Sequence, residues 1–320
     1  MSPHLNPWRT LRSAARYVHQ FRDQIFVIKL GGELLDGAEQ RRRIAEQLAV
    51  LWQFSIPLVI VHGGGGDLDR LCHSQGVAVE KKAGRRITSP EVLEAAKMRF
   101  VGSTQTNLLA DLRSAGLSPV GLSGVDAGLV TAEKRPPVPI DGENVDFGEV
   151  GDITTIRPAI IHQLLAAGHL PVIAPLTADD DGRVFNTNAD TLAASLAASL
   201  KAEKLFYLLE TAGLLSDIND PASLLTEADP ETLKNMIADG AIQGGMQPKA
   251  ESVIQALAGG VARVHLVSGL DPDALLEEVF TNEGSGTMVH QSNGIHQTTA
   301  FENEDSKGSA LDQEAVAHVG

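Results

Sequence analysis

The sequence predicts an α/β fold, a largely parallel sheet with helices on both faces. Two observations carry this. Strand-length apolar runs alternate with helical patterns along the chain, and the best-marked runs end in glycine turns that lead into helices. Size is the third: 320 residues with 43 % hydrophobic content suffice for one large α/β domain or two lobes sharing a sheet.

The elements follow in order. Residues 1–22 carry Arg9, Arg12, Arg16 and Arg22 and no acidic residue. That composition suits a transit peptide, but Trp8, Leu11, Ala15, Val18 and Phe21 recur at spacings of three and four, which favours an amphipathic helix over 1–24. Strands are expected near 25–30, 58–61, 118–122, 170–174, 205–209 and 263–267. Helices are expected near 41–53, 90–115, 158–167, 191–202, 231–238 and 248–258. Ser89-Pro90 supplies a cap and a proline at the first helical position, and Gly116 ends that helix; Pro158 and Gly168 bracket another. The prolines and glycines of 133–156 predict a hairpin excursion, not a βα unit. A Pro/Gly break near 172–182 separates an N-terminal lobe, 25–175, from a C-terminal lobe, 176–290. From residue 291 to 320 the chain is polar without apolar periodicity, and a disordered tail is expected.

Composition excludes several classes. A formal net charge of -15 argues against a nucleic-acid partner, which demands a dense basic face. The single cysteine, Cys72, rules out a disulfide framework and a cysteine metal cluster, and fits a reducing, cytoplasmic compartment. No apolar run is long enough for a transmembrane span.

The chemistry-bearing residues are scattered. Lys29 closes the first strand and precedes Gly31-Gly32; the second strand runs into Gly63-Gly64-Gly65-Gly66. Glycine lets backbone approach a phosphate closely, and a strand-to-helix turn aims N–H groups at it. A glycine pair alone also serves as a tight βα turn, whereas four in a row carry an ordering cost that a turn does not require. Neither loop has the Walker or dinucleotide-binding spacing. Lys29 at a strand end is costly without an anion unless it snorkels. Lys249, in the first turn of a helix, opposes the positive helix end unless an anion binds there. Asp190 reads as a helix cap or as an acidic organiser, and the nearby Asn186 and Asn188 favour a site. Arg86, among four cations in 81–86, suits bidentate carboxylate recognition.

The blocks at 27–35 (VIKLGGELL), 57–65 (PLVIVHGGG), 81–88 (KKAGRRIT), 186–194 (NTNADTLAA) and 244–251 (GGMQPKAE) together resemble the signature blocks of the acetylglutamate kinases, a branch of the amino acid kinase family. The resemblance keeps the family's order and spans about 26–289. It implies an open three-layer αβα sandwich with a mainly parallel sheet, an N-terminal lobe for the acyl amino acid and a C-terminal lobe for ATP. It implies that Lys29 and Lys249 stabilise the transferring phosphoryl group and that Asp190 organises them. Gly63, Gly64, Arg86, Asn186 and Asn188 would bind N-acetyl-L-glutamate. Gly31, Gly32, Glu210, Thr211, Gly213, Gly245 and Met246 would face ATP, with Mg2+ held through the nucleotide and not by a protein metal site.

Arginine-sensitive relatives carry an N-terminal helix and a C-terminal block similar to the one here, which implies an L-arginine site at Tyr17, His265, Glu283 and Gly284 and a homodimer or homohexamer. The sequence departs from the family at Glu210, where aspartate is usual, and at 103–107 and 66–68. N-succinylglutamate or N-acetylaminoadipate are the alternative substrates. A non-catalytic arginine-binding regulator is the alternative from another class; it would have no need of Lys29, Asp190 and Lys249 together.

Overall fold

The computed structural model describes residues 17–140, 142–217, 220–281 and 284–291. Of the helix expected over 1–24, residues 17–21 are helical and residues 22–24 form the turn that leads into the first strand; residues 1–16, and the expected tail beyond residue 291, lie outside the described residues.

β1 (Phe26–Leu30) and β2 (Leu58–His62) are buried along their whole length, as unbroken apolar runs must be in a sheet covered on both faces. Helix α1 (Ala38–Gln53) connects them, and α2 (Gly65–Ser74) starts directly within the four-glycine run. The basic stretch that follows is a hairpin, β3 (Glu80–Lys82) and β4 (Arg85–Ile87). The single helix expected over 90–115 is three segments: α3 (Pro90–Lys97), a π-helical Met98–Thr104, and α4 (Gln105–Ser114). Ser89 caps the first, its hydroxyl accepting the Val92 N–H at 3.3 Å.

After β5 (Pro119–Ser123) the excursion begins earlier than expected, with β6 (Val130–Lys134), the hairpin β7 (Val138–Ile140) and β8 (Glu143–Val145), and β9 (Gly151–Ile156). Then come α5 (Ala159–Ala166), β10 (Leu170–Ala174), β11 (Leu176–Ala178), β12 (Val184–Asn186), α6 (Ala189–Ser199) and β13 (Lys204–Leu209). The chain closes with β14 (Glu227–Ala228), α7 (Pro230–Ala238), α8 (Met246–Ala258), β15 (Arg263–Ser268), α9 (Ala274–Phe280) and β16 (Thr287–His290).

The main sheet runs β14-β16-β15-β13-β1-β2-β10-β5, and its only antiparallel pair among the described residues is β15 with β16. Alternation along the strands builds two cores. Val27, Val59, Val61, Ile173 and Leu205 face α6 and α8, whereas Phe26, Ile28, Leu58, Ile60 and Phe206 face α1 and α4. The result is helix, sheet, helix. A smaller sheet, β12-β11-β6-β9, stands beside it. Lys29 pairs in register with Val61 on one side and Tyr207 on the other, so the three share the α6 face. The carboxyl ends of β1, β2 and β10 open together on one edge, where sheets of this class bind ligands.

Two histidines are wholly buried in this frame. Burial pushes His62 and His265 down from 6.5 to about 4, so both are neutral at physiological pH. A histidine that resists protonation when folded stabilises the fold fully above its unfolded pKa, and the contribution fades as pH falls toward the folded value. Stability should therefore decline between about pH 6.5 and 4, by up to ~3 kcal/mol per histidine. Thermal melts that stay level from pH 7 to pH 5 would contradict this.

Candidate functional site

Alternation on β1 turns Lys29 toward the first turn of α6. There its ammonium lies 2.7 Å from Asp190 Oδ1, both side chains almost fully buried. Lys249, in the first turn of α8, reaches Asp190 Oδ2 at 3.3 Å. Asp190 is free to do this because the helix has another cap: Asn188 Oδ1 accepts the N–H groups of Asp190 at 2.8 Å and Thr191 at 3.0 Å. Burial alone would raise the Asp190 carboxyl, but the two ammonium groups outweigh it and hold its pKa below the ordinary value. Burial lowers Lys29, with Lys249 adding to the effect and Asp190 opposing it. Two cations thus share one carboxylate and leave a net positive site.

Beneath this trio lies Tyr207, which the sequence did not single out. Its hydroxyl donates to the Asp190 carbonyl at 3.1 Å, and it interacts with Ser252 of α8. It thereby ties together the two helices that carry Asp190 and Lys249.

The glycine loops meet backbone to backbone. A Cβ on Gly32 would stand 2.7 Å from Gly64 N and 2.8 Å from Gly65 N, so no side chain fits. The N–H groups of Gly31 and Gly63 are spent on Leu208 and Leu30 carbonyls, at 3.3 and 3.0 Å. Gly31 and Gly63 therefore tie the loops to the sheet, and Gly32 and Gly64, which line the cleft, carry the N–H groups left for a ligand.

Arg86 comes in from β4. Its Nη2 donates to the Gly65 carbonyl at 2.8 Å and pairs with Asp69 Oδ1 at 2.7 Å, while Nη1 is buried without a partner. A fixed guanidinium with a spare donor is ready for a carboxylate. Asn186 also lines the cleft, its amide donating to Thr88 Oγ1 at 3.1 Å. The cleft that unites Lys29, Asp190, Lys249, Gly32, Gly63, Gly64, Arg86, Asn186 and Asn188 has a volume of about 380 Å³. Lys81, Arg85, Phe100, Arg135 and Val150 also line it, and of these only the basic loop drew attention in the sequence.

The other expected nucleotide contacts stand apart from this cleft. Glu210 and Thr211 are exposed beyond β13. Gly213 packs on β16, where a Cβ would meet Thr287 Oγ1 at 2.6 Å. Gly245 and Met246 start α8, three or four residues before Lys249.

Of the residues expected to bind arginine, Glu283 lies outside the described residues. His265 Nδ1 is 2.6 Å from Glu278 Oε1, and the other oxygen of Glu278 accepts the N–H groups of Ser285 and Gly286 at 2.8 and 2.9 Å. Gly284, at φ +66°, turns the chain over this carboxylate. Phe206 stacks on His265, and the Lys204 ammonium stands 4.5 Å from the Phe21 ring centre. Tyr17 stacks on Phe21 at 6.2 Å, so the described end of the N-terminal segment sits beside this buried charged group. Glu278 belongs to the C-terminal block that resembles arginine-sensitive relatives but was not singled out within it, and Lys204 was missed, because it carries no local signal.

Residues 24–268 match the amino acid kinase family. The chain is 55 % identical over 294 residues to an acetylglutamate kinase of Myxococcus xanthus, covering 90 % of this chain and 96 % of that protein. Among solved structures it is similar to N-acetylglutamate synthase from Neisseria gonorrhoeae complexed with coenzyme A and N-acetyl-glutamate, with a TM-score of 0.78 and 30 % identity; the match covers 90 % of this chain but 64 % of that one. The same synthase complexed with coenzyme A and L-arginine matches with a TM-score of 0.76 and 27 % identity, covering 89 % of this chain and 65 % of that one.

Proposed function

Because this chain belongs to the amino acid kinase family, we propose that it transfers the γ-phosphoryl group of ATP to the γ-carboxylate of N-acetyl-L-glutamate, forming an acyl phosphate for arginine biosynthesis. The observation that carries the reading is Asp190 held between Lys29 and Lys249, at 2.7 and 3.3 Å, on the cleft that also holds the unpartnered Nη1 of Arg86.

The roles follow from charge. Arg86 and Asn186 take the substrate's α-carboxylate. The γ-carboxylate is itself the nucleophile; glutamate side chains ionise near pH ~4.3, so no general base is needed. Lys29, Lys249 and the N–H groups of Gly32 and Gly64 neutralise charge on the phosphoryl oxygens as it passes across. Asp190 fixes both ammonium groups and keeps them from repelling each other. The donor set fits a triphosphate: a net positive site and glycines too tightly packed for any side chain. Magnesium would ride on the nucleotide phosphates, where it supplies further charge neutralisation. The lobes divide the work, 25–175 for the acyl amino acid and 176–290 for ATP.

The test is hydroxylamine trapping of acyl phosphate, with N-acetylglutamate, N-succinylglutamate and free glutamate compared. N-acetylglutamate should be the best of the three, and Lys249→Ala should lower kcat by about 100-fold. No acyl phosphate from N-acetylglutamate would refute the reading.

The enzyme works in the cytoplasm; among the described residues no helix is long and apolar enough to cross a membrane. L-arginine is its feedback inhibitor, bound near His265, Glu278 and the segment around Tyr17. The buried carboxylate there and the arginine complex of the Neisseria synthase support this. Residues 1–24 then join homodimers into a hexamer. Deleting residues 1–22 should leave a dimer with weakened arginine sensitivity, and an unchanged hexamer on size exclusion would oppose it.

A further inference from the structure

Between α3 and α4 the backbone widens into the π-helical segment Met98–Thr104. A π turn shifts the phase of a helix, and the flanking helices bury their faces in different places. Val92, Leu93, Ala95 and Ala96 of α3 join Leu68 and Cys72 of α2, whereas Leu108 and Leu112 of α4 join the core under the main sheet. Within the segment Phe100 and Thr104 are the buried residues, while Met98 and Val101 are 53 % and 44 % exposed. Arg99 is held apart by an ion pair with Asp67 and a hydrogen bond to Ser103. Phe100 is thus turned into the cleft. It lies so close to Gly64 that a Cβ there would stand 2.8 Å from Phe100 Cε1 and 2.9 Å from Cδ1.

The substrate's covalent structure says what faces that ring. Its amide nitrogen and its α-carboxylate leave the same carbon. With the carboxylate on Arg86, the acyl group falls within a few bonds of the 63–65 loop. Arg86 and Phe100 flank that loop: a Cβ on Gly65 would stand 3.7 Å from Arg86 Nη2, and its neighbour Gly64 lies against Phe100. Val150, which bridges to Asn186, is an apolar residue on the Asn186 side.

We propose that Phe100, pressed against Gly64 by the π turn, closes the acyl subsite and limits the N-acyl group to the size of acetyl. The proposal rests on N-acetylglutamate being the substrate. The ring is 4 % exposed and belongs to the cluster of Leu68, Cys72 and Ala96, so it has little room to recede and each added methylene must displace packed atoms.

The experiment compares kcat/KM for N-acetyl-, N-propionyl- and N-butyryl-L-glutamate in the wild-type chain, Phe100→Leu and Phe100→Ala. The wild type should lose about tenfold or more per methylene. The butyryl-to-acetyl ratio should rise at least tenfold in Phe100→Ala and by less in Phe100→Leu, with the KM for ATP little changed. If Phe100→Ala does not fold, the ratio in Phe100→Leu decides. A ratio unchanged in the folded variants, or a wild type that accepts butyryl as readily as acetyl, overturns the proposal. No turnover of N-acetylglutamate by the wild type instead overturns the assignment of the substrate, so the two failures are told apart.

Discussion

Asp190→Asn is expected to lower kcat by about 10³-fold, the largest effect of any single change in the cleft. Asparagine keeps the shape of the side chain and the cap by Asn188, so the loss reports charge alone. Lys29 is already pushed below its ordinary value by burial, with Lys249 adding to the push and Asp190 its strongest counterweight. Without that carboxylate the Lys29 pKa falls further, so a smaller share of Lys29 is charged and the phosphoryl oxygens lose cationic support. The residual activity should therefore rise as pH is lowered, the sense in which Lys29 regains its proton. Stability should also drop, because removing one member of a buried pair leaves a charge uncompensated, up to ~3–5 kcal/mol if Lys29 stays charged. A variant with kcat within tenfold of wild type would show that the lysines need no organiser.

Arg86→Gln is expected to lower kcat/KM for N-acetylglutamate by about 300-fold, mostly through KM. The guanidinium is held by the Gly65 carbonyl and Asp69, so a wild-type substrate meets a preorganised donor. Glutamine removes the charge and leaves the Asp69 carboxylate without its partner. Lysine is no rescue, since a single ammonium cannot hold Gly65 and Asp69 and still present a further donor in fixed geometry. The KM for ATP should stay within about threefold. A parallel rise for both substrates would place Arg86 in the general architecture and not in acyl amino acid recognition.

Much of the architecture was legible because buried parallel strands write themselves as unbroken apolar runs. The six strands expected from the sequence all lie in the main sheet. Most strands it did not show are short or sit at edges, such as β14 and β16, where two to four residues carry no period; β6, five residues in the smaller sheet, falls at the start of the excursion. The π turn was invisible for a different reason. The hydrophobic pattern over 90–115 reads as one helix, and only the demand of two separate cores on α3 and α4 forces the phase change. In the cleft, Lys29, Asp190 and Lys249 could be named from their local settings. Tyr207 could not, since a tyrosine in an apolar strand looks like core until its hydroxyl is seen beneath Asp190.

The sequence by itself determined the alternation of strands and helices, the glycine turns at the strand ends and the identity of the charged groups, because each is a property of a few neighbouring residues. Only the tertiary structure decided which of them meet. Asp190 lies 59 residues from Lys249 along the chain, yet parallel strands and their crossover helices set the two 3.3 Å apart. The same packing gave the cap to Asn188 and the carboxylate to the lysines. It also spent the N–H groups of Gly31 and Gly63 on the sheet and left Gly32 and Gly64 at the cleft. Local rules allow either assignment in each case; packing pairs the buried charges with one another and leaves spare donors, Arg86 Nη1 among them, at the cleft.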